Sequence, residues 1–122
     1  MIWIVSDHKP TADALLPLIA DRGYQVMHVA CDEDVRKRIR FATPILVIID
    51  CGFPGSFDML EIIRTEERGR HIPVVMYADD DPALLEKAHL KGADACVPKK
   101  SLDWESLFRE IVRFAGPPPQ MW

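Results

Sequence analysis

Four short, mostly apolar runs in this 122-residue chain lead into residues able to do chemistry. IWIVS leads into Asp7, ILVII into Asp50, PVVM into Tyr77 and Ala78, and ACVP into Lys99. A pair of carboxylates suits a hard cation such as magnesium, which prefers oxygen ligands and keeps several of its waters. An aspartate can also attack a phosphoryl donor and form an acyl phosphate. An ammonium placed opposite would neutralise the phosphoryl oxygens. Asp50 is the most pointed of the four, a single charge at the end of what reads as a wholly buried strand. The plainer readings are a polar strand end for Asp50, a loop acid ahead of Pro10 for Asp7, and a solvated loop lysine for Lys99.

The elements that must position these residues follow from the apolar pattern. Strands are expected at residues 2–5, 24–29, 45–49, 73–76 and 95–97, the third continuous rather than alternating, as in a strand covered on both faces. Between them lie helical spacings. The first helix spans residues 11–22, with Leu15, Leu18 and Ile19 at helical spacing, a kink at Pro17 and a stop at Gly23. A short second helix is capped by Asp32 and carries Val35 and Ile39; its other face, with Arg36, Lys37, Arg38 and Arg40, is basic and solvated. The third starts from a Ser56 cap and runs through Leu60 and Ile63 to near Gly69. The fourth opens on the Asp81-Pro82 pair, a capping acid followed by proline, and closes at Gly92. The fifth has the clearest stripe: Trp104, Leu107, Phe108, Ile111, Val112 and Ala115. Five β-α units imply right-handed crossovers and a parallel sheet with helices on both faces. Ligands gather at the carboxyl ends of such strands, so topology brings Asp7, Asp50, Tyr77, Ala78 and Lys99 to one edge.

Composition narrows the function. The chain is 48% hydrophobic and 28% charged, the balance of one ordinary domain. Its 19 acidic against 15 basic residues give a net charge of −4, which offers no footprint for nucleic acid or an anionic membrane. The opening apolar run is too short for a membrane span or a signal-peptide core, so a cytoplasmic protein is expected. Cys31, Cys51 and Cys96 are widely spaced and odd in number, which predicts reduced thiols rather than a disulfide framework or a zinc site. None of the four histidines has ligand spacing, and only His8 is expected near the strand ends. The acidic run 79–81 reads as helix capping rather than a metal site. A haloacid-dehalogenase-like phosphatase would carry a second Asp two residues after its nucleophile, where this chain has Gly52. A flavodoxin-like cofactor binder would need a phosphate loop after the first strand, and SDHKPTAD is not one.

Three segments in order, IWIVSD, ILVIIDCGFPG and GADACVPKK, make residues 1–115 resemble a receiver domain of the two-component response-regulator family. The resemblance implies a CheY-like, flavodoxin-like α/β fold: a five-stranded parallel, doubly wound sheet in the order 2-1-3-4-5. It implies phosphoacceptance on Asp50, magnesium held by Asp7, Asp50 and the Gly52 carbonyl, and Lys99 as partner of the phosphoryl oxygens. The phosphoryl donor would be a histidine kinase or a histidine phosphotransfer protein. Output would leave through the fourth helix, fifth strand and fifth helix, to a homodimer partner or a fused effector beyond the Pro-rich residues 116–122. Nothing here implies a turnover enzyme.

The chain also departs from the family pattern. Ser6 stands where the first of two acids is usual, which predicts weaker magnesium binding. The switch Thr or Ser is replaced by Tyr77, or by Ala78 if the alignment is anchored on Pro73. Cys96 occupies the aromatic switch position, and Lys100 follows Lys99 where proline is usual. These departures keep open a phosphorylation-independent pseudo-receiver that works by protein-protein docking alone.

Overall fold

The computed structural model describes residues 1–31, 33–50, 55–78, 81–98 and 104–118. Five strands, β1 (Ile2–Ser6), β2 (Val26–Val29), β3 (Leu46–Asp50), β4 (Val74–Ala78) and β5 (Ala95–Pro98), alternate with five helices. The helices are α1 (Lys9–Ala20), α2 (Glu33–Ile39), α3 (Gly55–Thr65), α4 (Pro82–Leu90) and α5 (Trp104–Ala115). All strand pairings are parallel and the order is β2-β1-β3-β4-β5, as the α/β expectation required.

Alternation along each central strand feeds two cores. Trp3, Val5, Val47, Ile49, Val74 and Met76 pack with Val35 and Ile39 of α2 and Leu60 and Ile63 of α3. Ile2, Ile4, Leu46, Ile48 and Val75 pack on the other face with Leu15 and Ile19 of α1 and Leu107 and Ile111 of α5. Every residue of β1 and β3 is buried, so both strands are covered above and below.

Several boundaries differ from the sequence expectation, for local reasons. The strands run further than their apolar content, taking in Ser6, Asp50, Tyr77, Ala78 and Pro98, because backbone pairing does not require an apolar side chain. β2 starts only at Val26; Tyr24 instead donates its phenol to the Gly116 carbonyl at 2.6 Å, and burial pushes that phenol's pKa up. α1 begins at Lys9 and ends at Ala20, with Pro17 inside it. Ser56 lies inside α3, 1% exposed, rather than capping it. Asp81 does cap α4, accepting the Ala83 N–H at 3.0 Å, and Gly92 turns the chain after it at φ +106°. α5 ends at Ala115, followed by Gly116 at φ +85°.

One side chain ties the far end of the sheet together. Arg64, in the last turn of α3, donates to the carbonyls of Gly69 at 2.9 Å, Ile72 at 2.7 Å and Gly92 at 3.0 Å. It also meets the Asp94 carboxylate at 2.7 Å, and the same carboxylate oxygen accepts the Val74 N–H at 2.8 Å. The entries of β4 and β5 are thus held to α3 through a planar fork that lysine does not possess. Arg64→Ala is expected to lower unfolding free energy by about 2 kcal/mol, because several backbone acceptors lose their donor together. Urea denaturation reads the change, with an unaltered m-value and only partial recovery in Arg64→Lys.

Candidate functional site

The carboxyl ends of the strands form a row. Ser6 pairs with Asp50 in the β1–β3 ladder. One step beyond the last β3–β4 pair, Ile49 with Met76, come Asp50 and Tyr77. Ala78 pairs with Pro98, the residue before Lys99. Parallel pairing therefore brings the ends of β1, β3, β4 and β5 to one edge, with Asp50 on a central strand. Gly52 and Lys99 lie outside the described residues.

Asp50 is 1% exposed, a carboxylate taken almost wholly out of water. Its Oδ2 lies 3.4 Å from the hydroxyl of Ser6, itself 2% exposed. The Ser6 hydroxyl oxygen accepts the His8 N–H at 3.0 Å and can donate to the His8 carbonyl at 3.1 Å. Asp7, between them in sequence, is exposed and lines a cleft of about 530 Å³ that also contains Cys31 and Arg36. Asp58 and Glu61 of α3 line the same cleft.

Tyr77 is half-buried, and its side chain packs with the core on the α1–α5 face. Ala78 is buried. Cys96 packs against the opposite core, its thiol directed at the Leu85 carbonyl of α4 at 3.8 Å, and burial raises its pKa. That thiol stays protonated and poorly nucleophilic at neutral pH. Asp79 and Asp80 lie outside the described residues.

An all-oxygen pair, Asp7 and Asp50, has the donor chemistry that magnesium prefers. Among the described residues no group of three or more His, Cys, Asp or Glu stands together as a chelating cluster. Magnesium does not need one, since it is commonly held by one or two carboxylates with water completing the octahedron.

Three features escaped the sequence reading. Ser6 entered only as a missing acid, yet it contacts Asp50 directly. His28 comes to the same edge, its Nε2 donating to the Ser6 carbonyl at 2.9 Å, so His8 is not the only histidine near the strand ends. His8 itself is exposed, its Nδ1 2.7 Å from Thr11 Oγ1. The third feature is Cys31, which is disulfide-bonded rather than reduced, whereas Cys96 is a free thiol. Spacing along the chain cannot foresee such a bond, because it depends on which strand ends meet. A usable signal was present: Cys31 follows closely on the second strand, at the same carboxyl edge as Asp50.

The family model of the response regulator receiver domain matches residues 2–111. The chain belongs to that family. Solved structures of the same fold include the receiver domain of a sensor histidine kinase from Pseudomonas aeruginosa, described with a magnesium ion coordinated in its active-site cleft. It is 19% identical over 94% of this chain and 96% of that one, with a TM-score of 0.82. The chemotaxis response regulator CheY4 of Vibrio cholerae is 19% identical over 93% of this chain and 96% of its own, with a TM-score of 0.81. The receiver domain of NtrX from Brucella abortus is 22% identical over the same two shares, with a TM-score of 0.78.

Within this receiver domain, Cys31 gives the edge of the cleft a covalent tie. Removing a native disulfide commonly costs about 2–4 kcal/mol, chiefly by restoring freedom to the unfolded chain. Cys31→Ser is therefore expected to melt at a lower temperature than the wild type under oxidising conditions. With dithiothreitol in excess the two proteins should melt together, and calorimetry under both conditions checks the pair.

Proposed function

We propose that this receiver domain, residues 1–115 with a Pro-rich tail at 116–122, accepts a phosphoryl group on Asp50. The donor would be the phosphohistidine of a histidine kinase or of a histidine phosphotransfer protein. The observation that carries the reading is Asp50 itself: a buried carboxylate ending a central parallel strand, with Ser6 and Asp7 at the end of one neighbouring strand and Tyr77 on the other. A carboxylate oxygen of Asp50 attacks phosphorus in line. The new P–O bond forms as the P–N bond to imidazole breaks, and the released ring nitrogen takes up a proton. Asp7 and Asp50 would hold magnesium, with the Gly52 carbonyl as a third protein ligand. Bound there, the metal would supply positive charge for the phosphoryl oxygens. Lys99, next after Pro98, would pair with those oxygens from the β5 side. The domain would gain and lose one phosphoryl group without turning over a substrate.

Tyr77 rather than Ala78 is the switch position in this reading, because the β3–β4 register runs from Ile49 and Met76 directly to Asp50 and Tyr77. Output through α4, β5 and α5 is supported by Leu90 at the end of α4, which is 79% exposed. That face would receive a second copy or a fused effector. Trp104 and Phe108 support a contribution of α5 toward α1 instead, since their rings lie 5.8 Å apart and the Arg22 guanidinium sits 4.5 Å over Phe108.

A second reading, a docking module that works without phosphorylation, is favoured by Tyr77, whose side chain is packed into the α1–α5 core rather than offering a short hydroxyl arm. Acetyl phosphate with magnesium separates the two. A mass gain of one phosphoryl group, removed by hydroxylamine and absent in Asp50→Asn, is expected. No gain at high magnesium, together with no spectral response to beryllofluoride, would leave the docking module standing.

A further inference from the structure

Ser6 does more than omit an acid. Its hydroxyl has one hydrogen to donate and two lone pairs to accept with. The His8 N–H occupies the accepting side at 3.0 Å and so fixes where the oxygen sits. The His28 ring holds the same residue by its carbonyl, at 2.9 Å, and the β1–β3 ladder holds its backbone beside Asp50. The remaining hydrogen has two acceptors in reach, the His8 carbonyl at 3.1 Å and Asp50 Oδ2 at 3.4 Å. The second distance is long for an O–H···O bond. A charged acceptor strengthens and shortens such contacts, however, and both groups are buried, where the attraction is screened least. An acid at position 6 would instead set a second negative charge beside Asp50 and repel it.

We infer that Ser6 is a positioning residue for Asp50: its hydroxyl orients the carboxylate through Oδ2, so this orientation does not depend on a bound metal. The inference rests on the reading of Asp50 as phosphoacceptor. It goes beyond weaker magnesium binding, because it gives the hydroxyl a task that alanine cannot perform. While Asp50 is a free carboxylate the hydrogen is drawn to Oδ2. Once Asp50 is an acyl phosphate and its charge has moved to the phosphoryl oxygens, the nearer His8 carbonyl competes for it.

The test combines acetyl phosphate kinetics over a magnesium titration with calorimetric measurement of magnesium affinity on the unphosphorylated protein. Ser6→Ala is expected to be phosphorylated about fivefold more slowly at saturating magnesium, the effect of one ordinary hydrogen bond, with calorimetric affinity unchanged. Ser6→Thr and Ser6→Val, nearly equal in shape and differing by the hydroxyl, should split the same way, Thr near the wild-type rate and Val near the alanine rate. That pair decides the matter should Ser6→Ala fail to fold. Ser6→Asp should bind magnesium at least tenfold more tightly. An alanine or valine variant as fast as wild type would overturn the inference, as would a threonine variant as slow as valine, or magnesium affinity that falls in Ser6→Ala. A wild-type protein that takes up neither phosphoryl group nor beryllofluoride overturns this inference together with the phosphoacceptor reading. An active wild type indifferent to the hydroxyl overturns this inference alone.

Discussion

A parallel strand covered on both faces has no room for a charge along its length, only at its end. β1 and β3 are buried at every residue, and their side chains supply two cores at once. Burying an unpaired charge among them would cost more than any neighbouring contact returns. The polar chemistry of this domain is therefore pushed to the carboxyl edge, where backbone pairing still fixes the residues and the apolar run of each strand has ended. Parallel connection then aligns those ends side by side. Asp50 owes its place in a row with Ser6, Tyr77 and Pro98 to this constraint, and the other features of the site follow from it.

The same constraint explains how the site tolerates an unusual composition. Asp50 remains almost wholly buried, so a second buried acid at position 6 would add repulsion in a region of weak screening. A serine there removes that repulsion and puts a hydroxyl beside the carboxylate. Its oxygen is held by the backbone of the turn leading into α1. Tyr77 and Cys96 behave differently: each packs against one of the two cores and adds to packing on its own face. The edge thus combines a polar half on β1 and β3 with more apolar positions on β4 and β5.

Much of this was legible in the residues. The β-α alternation, the continuous third strand, the Asp81 cap and the α5 stripe arise from local periodicity and capping chemistry, which depend on near neighbours in sequence. Boundaries were less legible. Ser6, Asp50 and Tyr77 read as strand ends or loop residues because their side chains are not aliphatic, yet their backbones continue the sheet. Nothing in the local pattern singled out Arg64, which binds carbonyls as far away in sequence as Gly92. The disulfide at Cys31 contradicted the expectation of reduced thiols for the same reason.

By itself, the sequence determined the α/β class and the family, and it singled out candidates, Asp7, Asp50 and Lys99, with Ser6 and Tyr77 as expected departures from the family pattern. These follow from residue types and short-range spacing, which need no partner from elsewhere in the chain. Only the tertiary structure decided what those departures touch. Ser6 meets Asp50 across 44 residues of sequence, and Tyr77 packs against the core shared by α1 and α5. Such contacts are created by strand register and by the face each side chain takes, and register is a property of paired strands rather than of either strand alone.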